Sequence, residues 1–63
     1  MHIDSSKLKQ LRLSKKMSRF DLALECDISS SIIEKIEKGE RSGLYVAYKL
    51  AIYFNLPIEE LII

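Results

Sequence analysis

The chain has 63 residues, of which 48% are hydrophobic, and a formal net charge of +1. This length allows one domain, and a single cysteine (Cys26) and a single histidine (His2) exclude an internal disulfide and a metal site built from Cys and His. No apolar run approaches the ~18 residues that a membrane span requires, and one free thiol without a signal peptide predicts a cytoplasmic location.

The charges are unevenly distributed along this nearly neutral chain. Residues 1–19 carry six bases and one acid, residues 20–40 carry two bases and six acids, and residues 41–63 balance. A basic segment of this kind indicates a local anionic partner, and a solvated helix face is the alternative.

Helical spacing dominates the first half of the chain, and clean strand alternation is absent. The first predicted helix covers residues 6–15. In the second, Ser18 is the expected N-cap and Asp21 completes a capping box, while Asp27 ends the helix because Asp tolerates a left-handed backbone. The residues expected to face inward are Leu8 and Leu11, then Leu22, Ala23 and Cys26.

Three further helices are predicted in the second half. Ser29 is the expected N-cap of a helix over residues 30–38, which Gly39 ends. The next covers residues 44–54, and a short fifth helix covers residues 57–61. The inward-facing residues are Ile33, Ile36, Ala47, Leu50, Ala51 and Phe54. Residues 1–63 are therefore predicted to form one all-α domain of five short helices, with a helix-turn-helix at helices two and three.

Five segments together resemble a known family. They are L-R at residues 11–12, M-S-R-F-D-L-A at 17–23, I-S-S-S-I-I-E-K-I-E-K-G at 28–39, K-L-A at 49–51 and N-L-P-I-E-E-L at 55–61. At these spacings they resemble the Cro/repressor-like helix-turn-helix proteins, also called the XRE family. The resemblance implies a lambda-repressor-like DNA-binding domain.

The resemblance also implies that the third helix enters the DNA major groove with its N-terminal residues at base edges. The expected base contacts are Ser30, Ser31, Ile32 and Lys35. A serine hydroxyl both donates and accepts hydrogen bonds, and Lys35 lies one turn after Ser31. Ile32 would either contact a thymine methyl group or pack under the turn. The alternative for the serines is simple solvation.

Phosphate contacts are expected from Ser18, Arg19, Lys38 and Arg41. Arg19 stands where the family usually places glutamine, and arginine also donates to phosphate. The loop before the fourth helix is one residue shorter than is usual in the family and lacks its common proline. For each of these basic residues, the alternative is a solvated surface charge.

Two other roles follow from the resemblance. Arg12 and Glu37 are expected to form a structural ion pair between helices one and three. Tyr45, Ile52 and Tyr53 stand where family members usually carry polar or small residues, and Ile62 and Ile63 extend an apolar C-terminus. Together these five residues predict a homodimer interface. The alternative is that the C-terminal tail completes the core of its own chain.

The function expected is that of a sequence-specific DNA-binding transcriptional regulator, a repressor acting as a homodimer on a pseudo-palindromic operator in double-stranded DNA. No catalytic constellation, cofactor site or small-molecule site is evident, so an enzyme is not expected. The alternative is a protein-interaction module that keeps the fold, which the modest net charge and the acids Glu34 and Glu40 favour. Cys26 is expected to be buried, with a redox switch as the lesser alternative. His2 is expected to be disordered, and Met1 with the five-helix pattern favours a complete protein.

Overall fold

The computed structural model describes residues 1–63 and contains four α-helices and one 3₁₀ turn. The α-helices are α1 (Ser5–Ser14), α2 (Arg19–Cys26), α3 (Ser30–Glu37) and α4 (Leu44–Tyr53). The all-α prediction is confirmed, but the fifth predicted helix is only a 3₁₀ turn, Ile58–Glu60. None of the helices combines the length and apolar character needed to cross a bilayer.

Local hydrogen bonds determine where the first two helices begin. The Asp4 carboxylate accepts from the Lys7 backbone N–H at 3.1 Å, which caps α1. The capping box of α2 is confirmed, because Ser18 Oγ accepts from the Asp21 N–H and Asp21 Oδ2 accepts from the Ser18 N–H, both at 3.0 Å. The bond from the Ser18 backbone lowers the pKa of Asp21, so this cap holds at neutral pH.

A residue with a left-handed backbone follows each of the four helices, and after α1 this residue is Lys16 with φ 56°. Asp27 follows α2 with φ 55°, Gly39 follows α3 with φ 93°, and Asn55 follows α4 with φ 56°. An added Cβ on Gly39 would meet no atom within 4 Å, so its backbone conformation, rather than space, favours glycine there. The tight reversal at Asp27 leaves only residues 27–29 between α2 and α3, which completes the helix-turn-helix.

One hydrophobic core joins all four helices. The inward-facing residues predicted from helical spacing are buried, except that Leu11 and Phe54 are only partly buried. Arg12 is the one charged residue buried as a whole, and the side chain of Glu37 is also buried. The buried apolar residues are Ile3, Leu8, Leu22, Ala23, Cys26, Ile33, Ile36, Ala47, Leu50, Ala51 and Leu61.

The two ends of the chain pair with each other. Ile3 and Ile62 form an isolated antiparallel bridge, and the Ile63 N–H donates to the His2 carbonyl at 2.8 Å. The His2 ring Nε2 also bonds the Gly39 carbonyl at 2.9 Å. The prediction that His2 is disordered is therefore wrong. Its neighbour Ile3 is fully buried, and this buried anchor holds the terminal segment in place.

Candidate nucleic-acid interface

Three consecutive serines begin α3, and the structure gives each a distinct position. Ser29 Oγ accepts from the Ser31 backbone N–H at 3.2 Å, so Ser29 is the predicted cap. Its hydroxyl also lies 2.8 Å from Ser31 Oγ. Ser30 is exposed on the first turn and makes no side-chain hydrogen bond within the protein. The first turn of α3 therefore presents hydroxyl groups to solvent.

Two more predicted base contacts lie further along α3. Lys35 is exposed, one turn after the exposed Ser31. Ile32 is partly buried and packs against the core. In the free protein Ile32 therefore follows the packing alternative, and its contact with a thymine methyl group stays a prediction.

A buried ion pair holds α3 against α1. Arg12 Nε donates to Glu37 Oε2 at 2.7 Å and Nη2 donates to Oε1 at 3.1 Å, while Nη1 donates to the Met17 carbonyl at 2.8 Å. Arg19 Nε also donates to Glu37 Oε1, at 3.2 Å. One carboxylate therefore connects α1, the N-terminus of α2 and the last turn of α3.

The protonation of Glu37 reflects this network. Burial raises the pKa of its carboxyl, but the hydrogen bonds and charges of Arg12 and then Arg19 outweigh burial and lower the pKa overall. The side chain of Arg19 is 49% exposed, so part of its guanidinium still faces solvent. Arg19 is therefore both braced against α3 and open to a ligand.

An open depression lies between the N-termini of α2 and α3. It is lined by Arg12, Ser18, Arg19, Phe20, Ser30 and Glu34. The structure thus brings predicted phosphate contacts (Ser18 and Arg19) next to a predicted base contact (Ser30). Helix α2 also begins at this point, and a helix N-terminus favours anions, although the capping box already uses the Ser18 and Asp21 N–H groups.

Sequence reasoning assigned no site role to two residues in this depression. Phe20 is 61% exposed and adds an apolar surface to the depression. Glu34 follows Ser30 by four residues, and that spacing alone would have placed both side chains on one face of α3.

The remaining predicted phosphate contacts follow α3. Lys38 Nζ pairs with Glu34 Oε1 at 3.0 Å, and the hydrogen bond from Lys38 lowers the pKa of Glu34. Both side chains stay largely exposed. Arg41 is exposed and forms no ion pair. Lys38 is thus already paired in the free protein, whereas Arg41 is not.

The predicted dimer residues divide into two groups. Tyr45, Ile52 and Ile63 are 70%, 76% and 81% exposed. Tyr53 and Ile62 instead pack against the core, and the Tyr53 hydroxyl donates to the Met17 sulfur at 3.4 Å. For Ile62, the alternative in which the tail completes its own core describes the free chain, and Tyr53, the last residue of α4, also packs inward.

Helix α4 nevertheless carries several exposed apolar residues. Leu44 and Tyr48 are 53% and 47% exposed and precede Ile52 at four-residue intervals. Sequence reasoning missed these two residues, although helical spacing would have found them. We call this surface the α4 apolar face, made of Leu44, Tyr45, Tyr48 and Ile52.

The other reactive groups do not form a site. Cys26 is buried, and burial, followed by the charge of Glu25, raises the pKa of its thiol. No group of three or more His, Cys, Asp or Glu side chains converges as metal ligands would.

Comparisons with known proteins identify the helix-turn-helix fold. A helix-turn-helix family model matches residues 8–61. The crystal structure of the restriction-modification controller protein C.AhdI from Aeromonas hydrophila is similar, with a TM-score of 0.79 and 26% sequence identity over 89% of this chain and 86% of that chain. No curated protein sequence matches the chain.

Proposed function

The chain belongs to the XRE family of helix-turn-helix proteins and is a DNA-binding transcription regulator, and we propose that it acts as a sequence-specific repressor on a pseudo-palindromic operator. The main support is one spatial relationship. The exposed first turn of α3 lies beside Ser18 and Arg19 at the N-terminus of α2. Groups suited to base edges and groups suited to phosphates therefore share one surface.

In the proposed complex, α3 lies in the major groove. Ser30, Ser31 and Lys35 contact base edges from exposed positions, and Ile32 reaches a thymine methyl group with the exposed part of its side chain. Phosphate contacts position the helix but carry no sequence information. These contacts come from Ser18, Arg19, Lys38 and Arg41.

The proposed active form is a two-fold homodimer. The α4 apolar face supplies an exposed surface of the kind that subunit interfaces cover, and in this proposal the exposed Ile63 contributes at the C-terminus. Two copies of α3 spaced about 34 Å apart would match half-sites one helical turn apart. In this proposal Tyr53 and Ile62 pack between the core and the interface, because both are partly buried in the free chain.

The likeness to C.AhdI favours one biological context over others. That protein is described as a restriction-modification controller. We propose a similar role for this chain in preference to a phage, plasmid or toxin–antitoxin role, with action on DNA in the cytoplasm. The proposal involves no catalytic step, cofactor or small-molecule ligand.

A fluorescence-anisotropy titration tests the proposed function. One labelled duplex carries the sequence upstream of the chain's own gene, the other is a scrambled duplex of the same composition, and each is measured at two salt concentrations. Tighter binding to the upstream duplex at the higher salt is expected, because base contacts survive where phosphate contacts weaken. Equal, weak binding that salt abolishes on both duplexes would contradict autoregulation by sequence reading.

A protein-interaction module is the second candidate, and the carboxylate of Glu34 within the proposed interface favours it. Pull-down from a lysate, run with and without nuclease, separates the two candidates. Recovery of a protein partner that nuclease does not affect, together with no retention on heparin, would support the second candidate.

A further inference from the structure

The exposed acidic side chain of Glu34 lies among the residues proposed to contact phosphates. Glu34 lines the same depression as Ser18 and Arg19, and its carboxylate pairs with Lys38 at 3.0 Å. Glu34 therefore lies near three of the four proposed phosphate contacts and forms an ion pair with one of them, Lys38. The hydrogen bond from Lys38 lowers the pKa of Glu34, so the carboxyl stays ionised at neutral pH.

The fold has little need of this carboxylate. The side chains of Glu34 and Lys38 are 51% and 66% exposed, and an exposed pair four residues apart on a helix contributes little to stability. Glu37 is the contrasting case, because its side chain is only 4% exposed and connects three elements. Of the two acids on α3, Glu37 has a structural task and Glu34 lies where DNA is expected.

The position of Glu34 has two effects on a polyanion. Its own charge repels nearby phosphates, and its pairing with Lys38 cancels a charge that would otherwise attract them. Lys38 therefore has to leave the Glu34 carboxylate in order to contact a DNA phosphate. Both effects oppose binding regardless of base sequence.

We propose that Glu34 restrains the sequence-independent binding of DNA by engaging Lys38 and repelling phosphates. The inference rests on the proposed function and adds a residue that tunes it. Weaker binding to arbitrary DNA leaves more of the protein free to reach its operator, because a genome offers very many competing sites.

The test uses the scrambled duplex, so it needs no knowledge of the operator. Anisotropy titrations at 50 and 200 mM salt compare the wild type with Glu34→Gln. The variant is expected to bind more tightly, with a log–log salt slope steeper by about 0.9, the value for one added phosphate contact. Its gain over wild type is then about 3.5-fold larger at 50 mM than at 200 mM salt.

Two further variants make the test specific. Glu59→Gln removes the same charge from an exposed position on the 3₁₀ turn and is expected to gain less. In a Lys38→Ala background, Glu34→Gln is expected to lose the slope change and keep only the gain that comes from removing repulsion. Circular dichroism confirms that each variant is folded.

The outcomes separate this inference from the function on which it rests. Equal gains in affinity from Glu34→Gln and Glu59→Gln would mean that only total charge matters. Unchanged or weaker DNA binding by Glu34→Gln would refute the proposal that Glu34 restrains binding. A full slope change in the Lys38→Ala background would refute the role of Lys38. If the folded wild type binds no duplex even at 50 mM salt, the proposed function fails as well.

Discussion

The guanidinium of Arg12 and the carboxylate of Glu37 form a bidentate pair, with N–O distances of 2.7 and 3.1 Å, that joins α1 to α3. The two side chains are 8% and 4% exposed. A buried charge that loses its partner is strongly unfavourable. The position of α3 therefore depends on this pair, and the proposed DNA contacts depend on the position of α3.

We expect Arg12→Ala to lower the free energy of unfolding by about 3–5 kcal/mol, because Glu37 would lose its buried partner. The control is Arg19→Ala, which removes a half-exposed partner of the same carboxylate and is expected to cost about 0–1 kcal/mol. Urea unfolding followed by circular dichroism measures both. Similar losses for the two variants would contradict the distinction between a buried and an exposed pair.

The double variant Arg12→Met with Glu37→Leu tests the same pair in another way. Replacing both charges with apolar side chains of similar volume leaves no unpaired buried charge, so most of the stability lost in Arg12→Ala is expected to return. The measurement is again urea unfolding. A double variant that is no more stable than Arg12→Ala would show that the geometry of the pair itself is required.

Acid is expected to destabilise the protein through Glu37. Its folded-state pKa lies below the ordinary value of 4.5, so the pair stabilises the fold fully above the unfolded-state pKa and loses this contribution as the pH falls through the folded-state pKa. Unfolding midpoints measured from pH 7 to pH 2 should fall below about pH 4.5. The double variant lacks the Glu37 contribution and should show a shallower fall. Some fall should remain, because the lowered pKa of Asp21 acts in both proteins. Identical pH profiles would exclude Glu37 as the cause.

Base contacts and phosphate contacts are expected to respond differently to mutation. Lys35→Ala and Ser31→Ala should weaken binding to the operator by about 1–3 kcal/mol each and leave binding to a scrambled duplex less affected. Arg19→Ala should weaken binding to both duplexes and reduce the salt slope. Equal losses on every duplex for all three variants would refute the assignment of base contacts.

The Ser31 variant needs its own control, because Ser31 Oγ also bonds the cap residue Ser29 at 2.8 Å. Ser29→Ala removes the cap and is expected to cost about 1 kcal/mol of stability. If Ser31→Ala destabilises the fold as much as Ser29→Ala does, its effect on DNA binding reflects the helix start and not base contact.

A charge placed on the α4 apolar face is expected to prevent dimer formation. Ile52 is 76% exposed, so Ile52→Lys should leave the fold intact while disfavouring burial of this face. Sedimentation velocity over a range of protein concentrations measures the effect, with Leu13→Lys, at an exposed leucine of α1, as the control. A wild type that stays monomeric with and without operator DNA would refute the proposed interface, and so would an Ile52→Lys dimer of unchanged stability.

Cys26 is expected to be unreactive while the protein is folded. The thiol is buried and its pKa is raised, so both access and the thiolate fraction are low. Labelling with a thiol reagent near pH 8 should be slow in buffer and fast in denaturing urea. Rapid labelling of the folded protein would contradict this expectation and favour the alternative that Cys26 is a redox switch.

Most of the helical architecture could be predicted from local sequence. The capping box of Ser18 and Asp21, the serine cap of α3 and the left-handed residues Asp27 and Gly39 act within a few residues of themselves. Their effects are therefore readable without knowledge of the fold. The fifth predicted helix was too short for such signals, and it formed only a 3₁₀ turn.

Contacts between distant segments account for what local sequence could not reveal. Ile3 and Ile62 lie in segments with no helical period, so nothing local shows that they pair and close the core. The division of charges on the candidate interface is equally nonlocal. Glu37 forms ion pairs with Arg12 and Arg19, which lie in other helices. Glu34 instead pairs at the surface with Lys38, which follows it on the chain.

The sequence by itself determined the helices, their caps and the family, because these depend on short-range hydrogen bonds and on the spacing of apolar residues. The folded chain is needed to see which basic residues are already paired, which apolar residues of α4 stay exposed and how the termini are held. Those outcomes depend on burial and on distances between residues far apart in the chain, since the energy of a charge or an apolar surface changes with the surroundings that packing provides.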